Sequence, residues 1–171
     1  MTKSRSNEPS NSEEHERYTP PLIVDALDCT FDLDPCSPGE GKSFVSAKHH
    51  YTINDDGLAS KWFGTVFVNP PSGKHTGIWM RKLAEHGDGI GLVFARTDVR
   101  WFQDIAPKLS AVCFVAAKVK FFRGGMEEQY GTVGAGSMLL GFGNKSAEIL
   151  RTSNLGVCFE YAAPLAWRSE L

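Results

Sequence analysis

Residues 64–71 read Gly64-Thr65-Val66-Phe67-Val68-Asn69-Pro70-Pro71. Three consecutive apolar residues bounded by turn formers are typical of a strand covered on both faces. The two prolines end its ladder, because neither has an N–H to donate and each pushes the residue before it into extended backbone. Strands covered on both faces belong to parallel sheets, whose crossovers lay helices on either side. The segment therefore predicts a central strand of an α/β domain.

The flanking sequence agrees. Downstream, Ile78, Trp79, Lys82 and Leu83 recur at helical spacing and predict a helix from Thr76 to His86, ending near Gly87. A strand follows over GIGLVFA (89–95), then a helix through Trp101 to Ala106 and a strand over AVCFVAA (111–117). After these come a short VKFF segment, a polar Gly-rich loop from Gly124 to Gly136, and a strand over SMLLGFG (137–143). Upstream, TFDLDP (30–35) alternates apolar and acidic residues and stops at proline, as a short strand would. Residues 37–60 read as loop with one short strand around Val45 to Tyr51. In YTPPLIVDAL (18–27), Thr19 is placed to cap a helix whose early prolines cost no hydrogen bond, with Leu22, Ile23, Ala26 and Leu27 on its buried face. Residues 151–171 hold one apolar stretch, GVCFEYAA, that local pattern does not assign. Strands alternating with helices predict a mainly parallel sheet.

The chain has 171 residues, 42% of them apolar, which suits one compact domain. Residues 1–16 contain no aliphatic side chain after Met1 and read as a disordered tail, leaving 17–171 as a single domain. No apolar run approaches the roughly 20 residues that span a bilayer. The first residues lack the apolar stretch of a secretory signal, so a cytoplasmic protein is expected. The four cysteines (Cys29, Cys36, Cys113, Cys158) form no CxxC pair, and Cys29, Cys113 and Cys158 sit among apolar residues as buried thiols would. Of five histidines only His49 and His50 adjoin, and on a strand their side chains point apart; no metal site is expected.

Net charge is -2, but it is unevenly spread. Residues 1–60 carry 5 basic and 11 acidic side chains, whereas residues 96–123 carry 6 and 2. The second stretch suits phosphate contacts, or is simply a solvated face. In open α/β sheets ligands bind beyond the carboxyl ends of the strands. Three polar clusters lie at such ends here: Asp34-Pro35, Asn69-Pro70-Pro71 and Arg96-Thr97-Asp98. Of these the second is the most informative. The Asn69 amide oxygen and a proline carbonyl present two acceptors together, and a planar amino group carries two hydrogens.

Asn-Pro-Pro after an apolar strand resembles the Asp/Asn-Pro-Pro-aromatic motif of amino-group methyltransferases. More narrowly, YTPPLIVDAL, FDLDPCSP, YTINDDGLASKWFGTVFVNPP, and ARTDVRWF followed by VKFFRG resemble, in that order, the phage-type DNA N6-adenine methyltransferases. The resemblance covers roughly residues 18–143. It implies a class I, Rossmann-like methyltransferase sheet, mostly parallel with an antiparallel C-terminal strand. It also implies S-adenosyl-L-methionine as methyl donor, double-stranded DNA as substrate, and a phage or prophage origin.

Residue by residue, Tyr18, Thr19 and Pro20 resemble the segment that touches the methionine end of the cofactor. Asp32, Asp34 and Pro35 match the acidic end of the first strand, which faces the cofactor's amino group or ribose. Asp55 and Asp56 match the acidic turn near the cofactor adenine, although an Asx turn before Gly57 explains them as well. Asn69 belongs to both the cofactor and the catalytic sets, the latter with Pro70, Pro71 and Ser72. Arg96, Arg100, Trp101, Lys118, Lys120 and Arg123 are the DNA-binding candidates.

One position departs from the family. The residue after the prolines is usually an aromatic on which the flipped base stacks, and here it is Ser72. Base–aromatic stacking contributes about 1–3 kcal/mol, so a substitute is needed among Trp79, Trp101 and Phe102. Two rival readings stay open on the sequence: a methyltransferase acting on an RNA base or a protein glutamine, and a catalytically decayed module that binds nucleic acid or a partner.

Overall fold

The computed structural model describes residues 17–123, 128–129 and 135–161. The sheet forms in chain order from β1 (Phe31–Asp34), β2 (Ala47–His50), β3 (Val66–Val68), β4 (Gly89–Phe94) and β5 (Ala111–Val115). A two-stranded excursion, β6 (Phe122–Arg123) with β7 (Glu128–Gln129), precedes β8 (Ser137–Phe142) and β9 (Gly156–Glu160). Among the described residues four α-helices connect them: α1 (Pro21–Leu27), α2 (Thr76–His86), α3 (Arg100–Ile105) and α4 (Asn144–Thr152).

Seven strands join in the order β2-β1-β3-β4-β8-β5-β9. The first four are parallel, with Val66 opposite Gly89 and Val68 opposite Gly91. β8 runs antiparallel to both β4 and β5, and β9 antiparallel to β5. Two strands are therefore reversed where one was expected. The second, β9, is the segment GVCFE that local pattern left unassigned. It lies at the sheet's edge, and the apolar face of its alternation, Val157 and Phe159, is exposed rather than buried.

Val66, Phe67 and Val68 are completely buried, as a strand covered on both faces requires. Trp62, Trp79, Met80, Leu83 and Phe102 fill one side of the sheet, under α2 and α3. Ile23, Leu27, Phe31, Phe67, Leu139 and Leu150 fill the other, under α1 and α4. Helix α2 spans the expected residues and ends at Gly87 in left-handed backbone. It packs tightly on α3: a Cβ added to Gly77 would lie 2.9 Å from the Trp101 Cβ.

Three expectations are corrected. Helix α1 starts at Pro21 with Pro20 at its cap and no side-chain cap bond, because the Thr19 hydroxyl is engaged elsewhere. Its buried face is Ile23, Val24 and Leu27, while Leu22 is 67% exposed; five residues before Leu27, Leu22 lies about 140° around the helix from it, on the solvent side. Cys113 is buried, but Cys29 and Cys158 are only half-buried. Helix α4 had no counterpart in the sequence reading. Its NKSAEILRT is largely polar, and only Ser146, Ala147 and Leu150 reach the core. The proposed tail, residues 1–16, lies outside the described residues, as does most of the Gly124–Gly136 loop.

Candidate active site

The carboxyl ends of β1, β3 and β4 open on the same edge of the sheet, and Asn69 stands at the centre of that edge. Its side-chain nitrogen donates to the Arg17 carbonyl at 2.6 Å and to the Thr19 Oγ1 at 3.0 Å. Both amide hydrogens are thereby used, and no described residue donates to the Asn69 Oδ1. That oxygen is left as an acceptor beside the Pro70 carbonyl, which belongs to a residue with no N–H.

The residues holding Asn69 are themselves held. Tyr18 and Phe122 exchange backbone hydrogen bonds of 2.9 and 3.1 Å, so the start of the described chain is stitched to the VKFF segment. In that segment Val119 and Phe121 are buried while Lys118 and Lys120 are exposed. The first amides of α1 are partly used within the chain: Pro21 has none, and those of Ile23 and Val24 donate to the Pro20 carbonyl.

Two cavities meet at Arg17, Asn69 and Pro70. One, of about 480 Å³, has Ser72, Thr76, Phe94, Arg96, Trp101 and Phe121 among its walls. The other, of about 380 Å³, is walled by Tyr18, Pro35, Ile53, Asp56, Pro71 and Trp79, among others. Each has the size of a small organic ligand's site. Ligands placed in the two would face each other across the Asn69-Pro70 peptide.

The acidic candidates separate in space. Asp56 lines the smaller cavity, and its Oδ1 also accepts from the Ala59 N–H at 3.2 Å, so the local turn and the cavity wall are one feature. Asp55 instead closes a capping box, taking the Thr52 N–H at 2.7 Å and the Thr52 hydroxyl at 2.8 Å, and these bonds hold its carboxyl below the usual range. Asp32 is drawn to Lys48 at 2.8 Å and to the Thr65 N–H at 2.9 Å, away from both cavities; the Lys48 bond leads in lowering its pKa. Asp34 is buried beneath the Pro35–Pro38 wall and accepts the Cys36 N–H at 3.1 Å. Burial pushes its pKa up to about 7 against the hydrogen bonds from Cys36, Ser37 and Ser43. His50 Nδ1 lies 2.9 Å from the Ser37 Oγ and 3.9 Å from the Asp34 carboxylate. Among the described residues no three His, Cys, Asp or Glu side chains gather as a metal site requires.

Of the basic candidates, Arg96 reaches the larger cavity. Arg100 is paired to Asp104 at 2.9 Å, and Asp104 also holds Arg81 at 3.2 Å. Arg123 lies in β6. Among the aromatic substitutes for Ser72, Trp101 lines the larger cavity, Trp79 the smaller, and Phe102 is buried in the core.

Across residues 6–155 the chain matches the model of a family described as DNA N-6-adenine-methyltransferase (Dam). The chain belongs to the Dam family. No curated protein and no solved structure matches it. The Dam match runs from before Arg17 to beyond α4, so both cavities fall inside it.

Sequence reading missed two residues of this Dam-family site. Lys82 has its ammonium 3.0, 2.6 and 2.6 Å from the carbonyls of Gly57, Leu58 and Ser60, and 4.8 Å from the centre of the Trp62 ring. It thus ties down the loop behind Asp56. The available signal was a lysine at a position of apolar spacing on α2. Arg17 reaches both cavities, and its position at the margin of a polar tail gave no signal at all.

Proposed function

We propose that this Dam-family protein is a class I methyltransferase that moves a methyl group from S-adenosylmethionine to N6 of an adenine flipped out of double-stranded DNA. Family membership implies the DNA adenine N6 acceptor. The arrangement that carries the rest is the pair of cavities joined at Asn69 and Pro70.

The smaller cavity fits the cofactor. Ile53, Pro35 and Trp79 offer apolar walls to a purine, while Asp56, Thr52 and Ser37 bring polar groups for its amino and hydroxyl functions. When bound, S-adenosylmethionine supplies an electrophilic methyl group on sulfur, which departs as a neutral thioether. Asp34 acts on this cavity from below, by holding the turn after β1.

The larger cavity would receive the flipped base. Adenine N6 is a weak nucleophile because its lone pair is delocalised into the ring. The Asn69 Oδ1 and the Pro70 carbonyl would accept its two hydrogens. As the C–N bond forms, nitrogen becomes pyramidal and positive and those hydrogens more acidic, so both acceptors bind the transition state more strongly than the ground state. One N6 proton then leaves to solvent. Fixing the base against the cofactor supplies the rest through proximity. Trp101 gives the base an aromatic wall, and Arg96, Lys118, Lys120 and Arg123 supply phosphate contacts, with Arg100 contributing less because Asp104 engages it. The reaction takes place in the cytoplasm of a cell carrying the phage or prophage.

The test is transfer from labelled S-adenosylmethionine to unmethylated duplex DNA, followed by nucleoside mass spectrometry. N6-methyladenine is expected. Cofactor binding without transfer to DNA would instead point to another acceptor, an RNA base or a protein glutamine, and neither binding nor transfer would point to the decayed binding module that Ser72 permits.

A further inference from the structure

We propose that Arg17 binds the flipped base, its guanidinium supplying the stacking face that Ser72 does not. The inference rests on the reading above and names one further residue for it. The Arg17 Cζ lies over the Phe94 ring, 5.0 Å from its centroid, on the wall of the larger cavity. Its Nε is buried, and among the described residues it has no hydrogen-bond partner and no acidic side chain lines this cavity. No described acidic side chain competes for this guanidinium, which lines the cavity where the base would lie.

Two chemistries suit it: a phosphate or the face of a base. The location favours the base. Arg17 is partly buried and rests on an aromatic ring, whereas Arg96, exposed on the same cavity, is the residue suited to a phosphate. Guanidinium groups are planar, weakly hydrated and stack on nucleobases as aromatic rings do. Trp101 packs with the layer on one face of the sheet and Phe94 with the layer on the other. The cavity between them thus has an indole on one side and a ring-backed guanidinium on the other. The backbone of Arg17 is also registered to the reacting atoms, because its own carbonyl takes the Asn69 amide hydrogen.

The experiment compares wild type, Arg17→Lys, Arg17→Ala and the double variant Arg17→Ala/Ser72→Tyr. Adenines methylated by the wild type are mapped first, and one is then replaced by 2-aminopurine, whose fluorescence rises when it leaves the stack. Arg17→Lys keeps the charge and loses the plane, so kcat/KM for DNA should fall about 10- to 100-fold. The 2-aminopurine signal should weaken, with cofactor affinity falling less than kcat/KM for DNA because Arg17 borders both cavities. Ser72→Tyr should restore most of what Arg17→Ala loses, because it rebuilds the platform from the other source. Full activity in Arg17→Lys would assign a point charge on phosphate and overturn the inference. So would a loss of cofactor affinity as large as the loss in kcat/KM for DNA, or a double variant that melts like wild type and recovers nothing. Absence of N6-methyladenine with the wild type would remove the proposed function itself, and this inference with it.

Discussion

The Asn69 side-chain amide and the Thr19 hydroxyl, 50 positions apart in sequence, meet at 3.0 Å. A short amide with two hydrogens could turn either its oxygen or its nitrogen toward the cavities. The Arg17 carbonyl, which can only accept, decides for the oxygen, the Thr19 hydroxyl takes the second amide hydrogen, and only that orientation gives an acceptor for an amino group.

Thr19→Val keeps the shape and removes that acceptor. One amide hydrogen is left without its partner, at a stability cost of about 1–2 kcal/mol. Because the oxygen is then less firmly aimed, kcat should fall several-fold while cofactor affinity holds. Thr19→Ser should retain both. Steady-state methylation kinetics beside cofactor calorimetry would separate the two effects, and a drop in cofactor affinity equal to that in kcat would point to a general collapse of the site.

Asn69→Ala removes the acceptor itself. Methyl transfer should become undetectable, with the cofactor still binding within about threefold, because the smaller cavity keeps most of its walls. Turnover at the wild-type rate would sink the catalytic assignment.

Much of the frame was legible because it rests on local pattern. The Val66–Val68 run, the prolines after it and the helix from Thr76 to His86 each follow from side-chain period and backbone chemistry. What escaped is set by distant partners. Thr19 has the features of a helix cap, yet its hydroxyl serves Asn69, and nothing near it in sequence says so. The Tyr18–Phe122 pairing links opposite ends of the site through backbone atoms alone, so no residue type reports it. Helix α4 is polar because it buries only three small or branched side chains. Asp32, Asp34 and Asp55 looked equivalent to Asp56, but lysine pairing, burial and a capping box draw the first three off the cavity walls.

Lys82 offers a prediction about the loop those acids frame. Its ammonium donates to three carbonyls of residues 57–60, and the Trp62 indole N–H also donates to the Gly57 carbonyl at 2.7 Å. Lys82→Met keeps the chain's contact with Trp62 and leaves the Leu58 and Ser60 carbonyls without this donor. Folding stability should drop by about 2 kcal/mol, read by urea unfolding. Affinity for S-adenosylmethionine should weaken more than turnover at saturating cofactor. The same loop admits no side chain at Gly57, where a Cβ would run into the Pro35 carbonyl. Gly57→Ala should therefore weaken cofactor binding in the same direction.

Asp34 predicts an unusual pH dependence of stability. Its carboxyl is buried at the end of β1, and burial raises its pKa from 3.8 to about 7. The native state thus holds a proton that the unfolded chain has already released between those values. By linkage, the contribution of this group is full below about pH 4 and is lost as pH rises toward 7. Asp32, Asp55 and Asp104 have lowered pKa values, so their contributions are lost only in acid below the ordinary carboxylate range. The two windows do not overlap. Asp34→Asn keeps an oxygen for the Cys36 N–H and cannot ionise. Its Tm should decline less than that of wild type between pH 5 and 7.5, with the two proteins diverging as pH rises. Parallel melting curves across that range would show that Asp34 is already ionised in the folded protein and that the wall above it rests on a carboxylate.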